Sequence, residues 1–283
     1  MKQISVYKSE EGKKKIIDHY DMILKTHGAK FSGEYVDTEF GKTHILTAGK
    51  KNAEPIILIH GSCSNSTMWL GDMGVLSKNY RVIAVDIPGE PGKSAETRLS
   101  TENDDFAFWI KEVMKGLDIK KASIAGNSFG GWAALKFASR FPEMVSNLIL
   151  IASSGILPPK MSFVIKSILY TMKGEKGIEP LNRMIFGNNN IPKEVIETSS
   201  LILKNFNPRV GSLPSFDEEQ LEKLTMPVLY LGGEKDVTVD TKKSAEKMTR
   251  YVENAVSDII MGCGHVIYNT ATRINEFLAG EVG

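Results

Sequence analysis

A serine flanked by glycines stands where the chain changes from a strand pattern to a helix pattern. An apolar run at 122–125 precedes the pentapeptide Gly-Asn-Ser-Phe-Gly at 126–130, and an amphipathic helical pattern follows it as far as the breaker Pro142. Small residues on either side of a serine permit a sharp strand-to-helix turn that leaves Oγ exposed above a sheet. We therefore predict that Ser128 is a nucleophile.

An acid and a histidine follow downstream, each just after an apolar, strand-like run. They are Asp236 and His265. A serine hydroxyl needs a neighbouring base to act as a nucleophile, and His265 is the candidate, with Asp236 orienting its imidazole ring. Glu234 and Asp240 compete for the role of the acid, but Asp240 precedes a helix pattern and we expect it to be that helix's N-cap.

At this point the chain resembles the α/β-hydrolase superfamily, in which nucleophile, acid and histidine follow in that order along the sequence. The resemblance covers nearly the whole chain. It includes His60-Gly61 after a strand pattern, Trp69 in the next helix pattern, and the segment 86–94 after the following strand pattern. It implies an α/β fold with a mainly parallel, doubly covered sheet and a serine carboxylesterase-like activity.

The resemblance also implies an oxyanion hole built from two backbone N–H groups. One belongs to Phe129, the residue after the nucleophile, and the other to the loop after the His-Gly pair, where we assign it to Ser62. In the superfamily the histidine at His60 is usually structural, so we assign it no proton transfer. Helix or strand surfaces are the expected place of the remaining histidines, His19, His27 and His44.

Strand and helix patterns alternate along most of the chain. The predicted strands lie near 33–39, 43–49, 55–60, 81–86, 122–127, 147–152, 227–232 and 256–261. This alternation favours a mainly parallel sheet with helices on both faces. It stops between 154 and 222, where helical patterns and loop residues occur without a central strand. We predict that 154–222 is a helical cap inserted into an α/β-hydrolase core of 1–153 and 223–283.

One helix pattern in the predicted cap, at 161–172, is apolar around more than one face and carries a single charge. Such a helix needs burial on both sides. It is core of the cap or, on one face, the wall of an acyl or alkyl pocket, for which methionine side chains are adaptable, and both can hold for different residues. The predicted substrate contacts are Cys63, Trp69, Met161, Ile165, Ile168 and Met172.

The two cysteines of the chain, Cys63 and Cys263, each stand close to a predicted catalytic element. Because they follow different strand patterns, we expect reduced thiols and no disulfide between them. Two alternatives remain open for their role. Either both pack beneath loops, as buried free cysteines commonly do, or one of them borders the catalytic chamber. Cys63 is the better candidate for the chamber, because its loop must approach the substrate oxygen.

Length and charge exclude several classes of function. The chain has 283 residues, and its 35 basic and 34 acidic residues leave no field to attract nucleic acid or an anionic membrane. No stretch reads as a signal peptide or approaches the roughly 18 apolar residues of a membrane span. We therefore expect a cytoplasmic protein without stable membrane association. No histidine, cysteine and carboxylate cluster has metal-ligand spacing, so we assign neither metal nor cofactor.

These observations predict a cofactor-free serine hydrolase that cleaves an ester of a mostly apolar small molecule through an acyl-enzyme. A lactonase, a carbon-carbon bond hydrolase, an amidase and a cofactor-free peroxidase remain open within the same fold. So does a protein of another class, a ligand receptor or signalling partner that turns over slowly. Dehalogenase-like and epoxide-hydrolase-like members are disfavoured, because they carry aspartate in the place of Ser128. The specific substrate and the oligomeric state stay open.

Overall fold

The computed structural model describes residues 5–28, 30–187, 191–211 and 213–281, and within them the strands form one sheet. The strands are β1 (Ser32–Thr38), β2 (Gly41–Ala48), β3 (Pro55–Ile59), β4 (Arg81–Val85), β5 (Ala122–Asn127), β6 (Val145–Ile151), β7 (Val228–Gly233) and β8 (Ala255–Ile260). Their order across the sheet is β1-β2-β4-β3-β5-β6-β7-β8. β2 pairs antiparallel with β1 and β4, and the other neighbouring strands pair in parallel. The prediction of a mainly parallel sheet is confirmed.

Helices cover both faces of this sheet. The helices among the described residues are α1 (Glu10–Thr26), α2 (Leu70–Leu76), α3 (Asp105–Gly116), α4 (Phe129–Arg140), α5 (Met161–Met172), α6 (Ile178–Phe186), α7 (Lys193–Asn205), α8 (Glu218–Glu222), α9 (Thr241–Tyr251) and α10 (Ala271–Leu278). None of those described is long and apolar enough to cross a membrane.

Successive residues of a central strand enter different cores, as expected when both faces of a parallel sheet are buried. In β3, Ile57 and Ile59 join the cluster formed with α3, α4 and α9, whereas Ile56 and Leu58 join the cluster formed with α2 and α10. This double burial explains why the central strands are almost uninterrupted apolar runs in the sequence. It also makes the sheet a rigid support for the loops that leave its strand ends.

The chain between β6 and β7 carries α5, α6, α7 and α8. The prediction that α5 is buried on both sides is wrong, since none of its residues is buried. Its principal contacts are with α6 and with the turn Gly174–Gly177, so one side of the helix has protein neighbours and the other faces solvent. The apolar pattern of α5 therefore marks an exposed apolar face, which sequence periodicity alone does not distinguish from a buried one.

Candidate active site

The carboxyl ends of the parallel strands bring four predicted site residues to one edge of the sheet. Ser128 follows β5, Asp236 follows β7, His265 follows β8 and Ser62 follows β3. Because parallel strands all end at the same edge, residues that lie far apart in sequence meet there. The predicted strand ends were therefore sufficient to place these residues near one another.

Ser128 occupies a strained turn between β5 and α4. Its φ of 49° and ψ of −107° lie in a region that non-glycine residues rarely adopt. A Cβ on Gly126 would lie 2.3 Å from the carbonyl oxygen of Gly130, and one on Gly130 would lie 2.2 Å from that of Ile59. Glycine at these two positions lets α4 approach β5 and β3 this closely, which raises the serine above the sheet.

A continuous chain of polar contacts runs from Ser128 to Asp236. Ser128 Oγ is 3.1 Å from His265 Nε2, and His265 Nδ1 is 2.8 Å from Asp236 Oδ2. Because an ionised carboxylate only accepts hydrogen bonds, Nδ1 carries the ring proton and Nε2 is left to accept from the serine hydroxyl. The Thr238 hydroxyl lies 2.9 Å from the same Nδ1 atom and donates to Asp236 Oδ1 at 2.7 Å. This arrangement suits proton transfer from the serine.

Asp236 is 2% exposed and remains charged. Its burial acts to raise the pKa of the carboxyl, but the charge and hydrogen bond of His265, with the hydrogen bonds from Thr238, outweigh that effect and hold the pKa below its ordinary value. The two competing carboxylates have other partners. Asp240 accepts from the Lys243 N–H at the N-cap of α9, as predicted, and Glu234 accepts from the Gly262 N–H.

The two predicted oxyanion donors lie beside Ser128, one on the loop after β3 and the other at the start of α4. A Cβ on Gly61 would lie 3.6 Å from Ser128 Cβ, so the loop carrying Ser62 runs directly next to the serine. Phe129 begins α4, whose N-terminal N–H groups favour negative charge. Within the described residues, neither the Ser62 nor the Phe129 N–H donates to another protein group, whereas the Cys63 N–H donates to Glu90 Oε2 at 2.9 Å.

The remaining histidines near the site are structural. His60 is fully buried, its Nδ1 donates to the Gly61 carbonyl and its Nε2 accepts from the Ile87 N–H. Burial lowers the pKa of His60, which keeps the ring neutral. The expectation that His44 lies on a strand surface is wrong, because its ring is buried against the Asp86 carboxylate at 3.1 Å. The buried Asp86 carboxylate thus holds His44 in the core, although the sequence pattern predicts a strand surface for this histidine.

The predicted substrate contacts do not form one enclosed pocket. Trp69 is only 2% exposed and belongs to the core cluster with α2, so its assignment to the substrate pocket is wrong. Four predicted contacts on α5 are between 52% and 79% exposed and face solvent: Met161, Ile165, Ile168 and Met172. The four therefore line an open face and stay predicted substrate contacts, since an apolar side chain in the sequence carries no mark of the surface it meets.

The two cysteines are free thiols, as expected. Cys63 packs against the apolar cluster that α1 and α7 form with Val6, Tyr7 and Phe206. Burial and the nearby charge of Glu90 raise the pKa of Cys63 to about 12. These contacts favour the packing alternative over a reactive thiol in the chamber.

Three polar residues around the site were missed in the sequence. Thr238 stands two residues after Asp236, and its hydroxyl gives no pattern of its own. Glu90 lies within the segment 86–94 that the resemblance marked, yet no role was assigned to it. Arg209 comes from the loop after α7 and donates from Nε to Glu90 Oε1 at 3.2 Å. Burial raises the pKa of Glu90, and the hydrogen bond from Cys63 and the charge of Arg209 oppose that rise.

Comparison with known proteins places the chain among similar hydrolases. The family model for the alpha/beta hydrolase fold matches residues 54–174. The uncharacterized carboxylesterase nap of Bacillus subtilis (strain 168) is 31% identical over 278 residues, which cover 93% of this chain and 92% of the relative. The crystal structure of carboxylesterase CesB (YbfK) from Bacillus subtilis is 27% identical, with a TM-score of 0.85 over 95% of this chain and 99% of that chain. The crystal structure of naproxen esterase from Bacillus subtilis, 24% identical with a TM-score of 0.86 over 96% and 99% of the two chains, supports the fold alone.

Proposed function

The chain belongs to the α/β-hydrolase family, and from that premise we propose that it is a serine carboxylesterase that forms an acyl-enzyme on Ser128. The observation that carries the proposal is the continuous contact from Ser128 through His265 to the buried Asp236, at 3.1 Å and 2.8 Å. The similarity to carboxylesterases over almost the full chain favours an ester as the substrate.

In the first half of the proposed reaction, His265 Nε2 takes the hydroxyl proton as Ser128 Oγ attacks the ester carbonyl carbon. The carbonyl oxygen becomes an oxyanion, which accepts hydrogen bonds from the N–H groups of Phe129 and Ser62. Asp236 keeps the proton of Nδ1 in place and stabilises the positive ring. When the carbonyl re-forms, the carbon-oxygen bond to the alcohol breaks and the alcohol leaves with the proton from Nε2.

In the second half, a water molecule replaces the alcohol. His265 takes a proton from the water as the water oxygen attacks the acyl carbon. The N–H groups of Phe129 and Ser62 stabilise the second oxyanion. Breaking the bond to Ser128 Oγ returns the proton to the serine and releases the carboxylic acid. Neither half requires a metal or a redox cofactor, and the described residues contain no cluster of three or more candidate metal ligands.

For the apolar part of the substrate we propose the segment 154–222 as a cap and the exposed face of α5 as its contact surface. Lys160, the residue before α5, joins this helix to the loop of the catalytic acid. Its N–H donates to the Thr238 carbonyl at 2.7 Å, and its ammonium group donates to the Asp236 carbonyl at 2.5 Å. The exposed apolar side chains of α5 therefore begin next to the triad.

The proposal is tested with a series of p-nitrophenyl esters of increasing acyl length. We expect multiple turnovers, and kcat/KM rising by several-fold per carbon until the apolar surface is covered, since each buried methylene contributes about 0.8 kcal/mol.

Ser128→Ala should lower turnover by up to about 10⁶-fold and abolish labelling by a fluorophosphonate. Ser139→Ala, on the same helix α4 with its hydroxyl bonded to the Lys136 carbonyl, is the matched control and should behave as wild type.

Two outcomes would contradict the proposal. Equal fluorophosphonate labelling of wild type and Ser128→Ala would remove the serine from the chemistry. A single stoichiometric turnover that leaves the acyl group on Ser128 would indicate the slow receptor or signalling protein instead. Faster turnover of lactones than of matched linear esters would change the substrate class and leave the mechanism intact.

A further inference from the structure

Glu90 and Arg209 form a buried ion pair directly behind the loop that carries the proposed oxyanion donor Ser62. Glu90 is 1% exposed, and its two carboxylate oxygens have separate partners. Oε1 accepts from Arg209 Nε at 3.2 Å and Oε2 accepts from the Cys63 N–H at 2.9 Å. We propose that Glu90 and Arg209 are positioning residues for the oxyanion hole, an inference that rests on the proposed esterase function.

The first step of the argument concerns the backbone at Cys63. Its φ of 54° lies in the left-handed region, where a non-glycine residue is strained and persists only if the surroundings hold it. The hydrogen bond to Glu90 supplies that restraint. It also occupies the Cys63 N–H, whereas the Ser62 N–H, which donates to no protein group among the described residues, stays available beside the nucleophile. A loop released from Glu90 would lose the geometry that preorganised donors require.

The second step concerns Arg209, which links both proposed donors to one side chain. Its guanidinium lies over the rings of Phe106 and Phe129, with 5.6 Å and 5.5 Å to the ring centroids. Its Nη1 donates to the Leu99 carbonyl at 2.8 Å. Arg209 therefore contacts Phe129, whose N–H is the second proposed donor, and through Glu90 it supports the loop of the first.

The third step concerns charge. A carboxylate buried behind an oxyanion hole opposes the negative charge that develops there, unless a cation neutralises it. Arg209 is the cation hydrogen-bonded to Glu90, and only 18% of its side chain is exposed, while the charge of Arg98 also acts on Glu90. Arg209 lies in the proposed cap, whereas Glu90 lies in the proposed core. The cap would therefore complete the catalytic geometry of the core and would do more than select the substrate.

The charge argument predicts an unusual order among variants. Arg209→Met removes the cation that is hydrogen-bonded to the buried Glu90 carboxylate, so it should lower kcat by about 10²-fold, the size of effect seen when one oxyanion donor is lost. Adding Glu90→Gln removes the carboxylate charge while keeping an acceptor for the Cys63 N–H. The double variant should therefore recover about 10-fold in kcat relative to Arg209→Met alone. A double variant no faster than Arg209→Met would contradict the charge argument.

The decisive readout compares the transition state with the ground state. For wild type, Glu90→Gln, Arg209→Met and the double variant, kcat and KM for one ester are measured beside the inhibition constant of an alkyl trifluoromethyl ketone. Such a ketone forms a tetrahedral adduct with the serine and places an oxyanion in the hole. We expect the inhibition constant to rise in proportion to the loss of kcat/KM, while KM changes by less than about 3-fold.

Lys247→Met is the matched structural control. Lys247 is another partly buried cation that anchors the same segment, through hydrogen bonds to the carbonyls of Ile156 and Phe216. Lys247→Met should lower the unfolding temperature. The inhibition constant of the ketone should stay at its wild-type value. If Arg209→Met behaves like Lys247→Met, the positioning role is overturned.

The failure of this inference is distinguishable from the failure of the proposed function. Ester turnover that survives Ser128→Ala would overturn the esterase mechanism and this inference with it. Turnover that requires Ser128 but keeps wild-type kcat and ketone affinity in Arg209→Met would overturn only the role of the ion pair. Should Arg209→Met not fold, Arg209→Lys retains the charge but not the paired geometry of the guanidinium, and unchanged ketone affinity there would equally reject the inference.

Discussion

At the scale of single residues, the ring of His265 separates two kinds of partner. Nε2 contacts the neutral hydroxyl of Ser128, whereas Nδ1 contacts the Asp236 carboxylate and the Thr238 hydroxyl. A ring held on one side by an ionised group keeps a single tautomer and a single orientation. Asp236 therefore creates the difference between the two ring nitrogens, which leaves Nε2 able to accept the proton of Ser128.

We expect Asp236→Asn to lower turnover by about 10⁴-fold, because the amide does not stabilise the tautomer in which Nε2 accepts from the serine. Asp240→Asn is the matched control, since Asp240 caps α9 through the Lys243 N–H and has no contact with His265 among the described residues. It should leave turnover near wild type and lower the free energy of unfolding by at most about 1 kcal/mol. Steady-state kinetics and urea unfolding of both variants check this, and interchanged results would move the acid to Asp240.

We expect Cys63 to react slowly with a maleimide at neutral pH. Burial and the charge of Glu90 raise the pKa of Cys63 from 9.0 to about 12, which lowers the reactive thiolate fraction by about 1000-fold. Labelling followed by peptide mapping, with glutathione as the reference thiol, measures the difference. In urea, where the burial is lost, Cys63 and Cys263 should label at similar rates. Rapid labelling of folded protein with loss of activity would instead place the thiol in the catalytic chamber.

At the scale of elements, the close approach of α4 to the sheet determines where the proposed nucleophile, Ser128, lies. A Cβ on Gly130 would overlap the carbonyls of Ile59 and His60, at 2.2 Å and 2.5 Å. Because these contacts are with backbone atoms, a larger residue would move the helix away from β3. The same displacement would carry the Phe129 N–H away from the proposed oxyanion position.

We therefore expect Gly130→Ala to lower both stability and turnover, the first by about 1–3 kcal/mol as overpacking commonly does. Gly71→Ala is the matched control in a helix that also packs on the sheet. A Cβ on Gly71 would meet no atom within 4 Å, so this change should stabilise α2 by about 0.5–1 kcal/mol and leave turnover unchanged. Urea unfolding and ester kinetics distinguish the two, and equal effects would contradict the packing argument.

The helices of the segment between β6 and β7 differ in how firmly they are held. Ile202 of α7 is 3% exposed in the cluster with Val6, Ile16 and Phe206, whereas Ile168 of α5 is 54% exposed. We expect Ile202→Ala to lower the free energy of unfolding by about 2–5 kcal/mol and Ile168→Ala to change it by less than about 0.5 kcal/mol. Urea unfolding of both variants measures this, and an equal loss would show that α5 is buried in solution.

At the scale of the whole molecule, buried carboxylates link the folded state to pH. Asp86 is fully buried beneath the loops of the site and accepts hydrogen bonds from His44 and from the backbone of Ser66 and Lys93. Burial acts to raise the pKa of Asp86, but the hydrogen bond and charge of His44, with the hydrogen bond from the Lys93 N–H, outweigh it and lower the pKa. The pKa of Asp236 is lowered in the same way.

A folded-state pKa below the unfolded value of about 3.9 means that the carboxylate stabilises the fold above that pH and stops doing so as pH falls through the folded pKa. The free energy of unfolding should therefore decrease below about pH 4. The stability difference between wild type and Asp86→Asn should be largest at neutral pH and shrink as pH falls through that window. Urea unfolding from pH 7 to pH 2.5 measures both curves, and a difference that grows on acidification would contradict the assigned sign.

Local patterns in the sequence determined the strands and the order of the proposed triad. Each of the eight predicted strands is present within about two residues of its predicted ends, because apolar runs and turn residues act over a few positions. Ser128, Asp236 and His265 stand just after three of those strands, so the common edge of a parallel sheet brought them together. Asp240 as an N-cap followed from the same local reasoning.

Only the tertiary structure decided which surfaces those elements meet. The sequence of α5 does not distinguish its exposed apolar face from a buried one, and Trp69 and His44 proved to be core residues because of neighbours distant in the chain. Glu90 and Arg209 are 119 residues apart and meet through folding alone. Periodicity records the spacing of residues along one element, whereas a contact between two elements depends on how both pack, which no short stretch of sequence encodes.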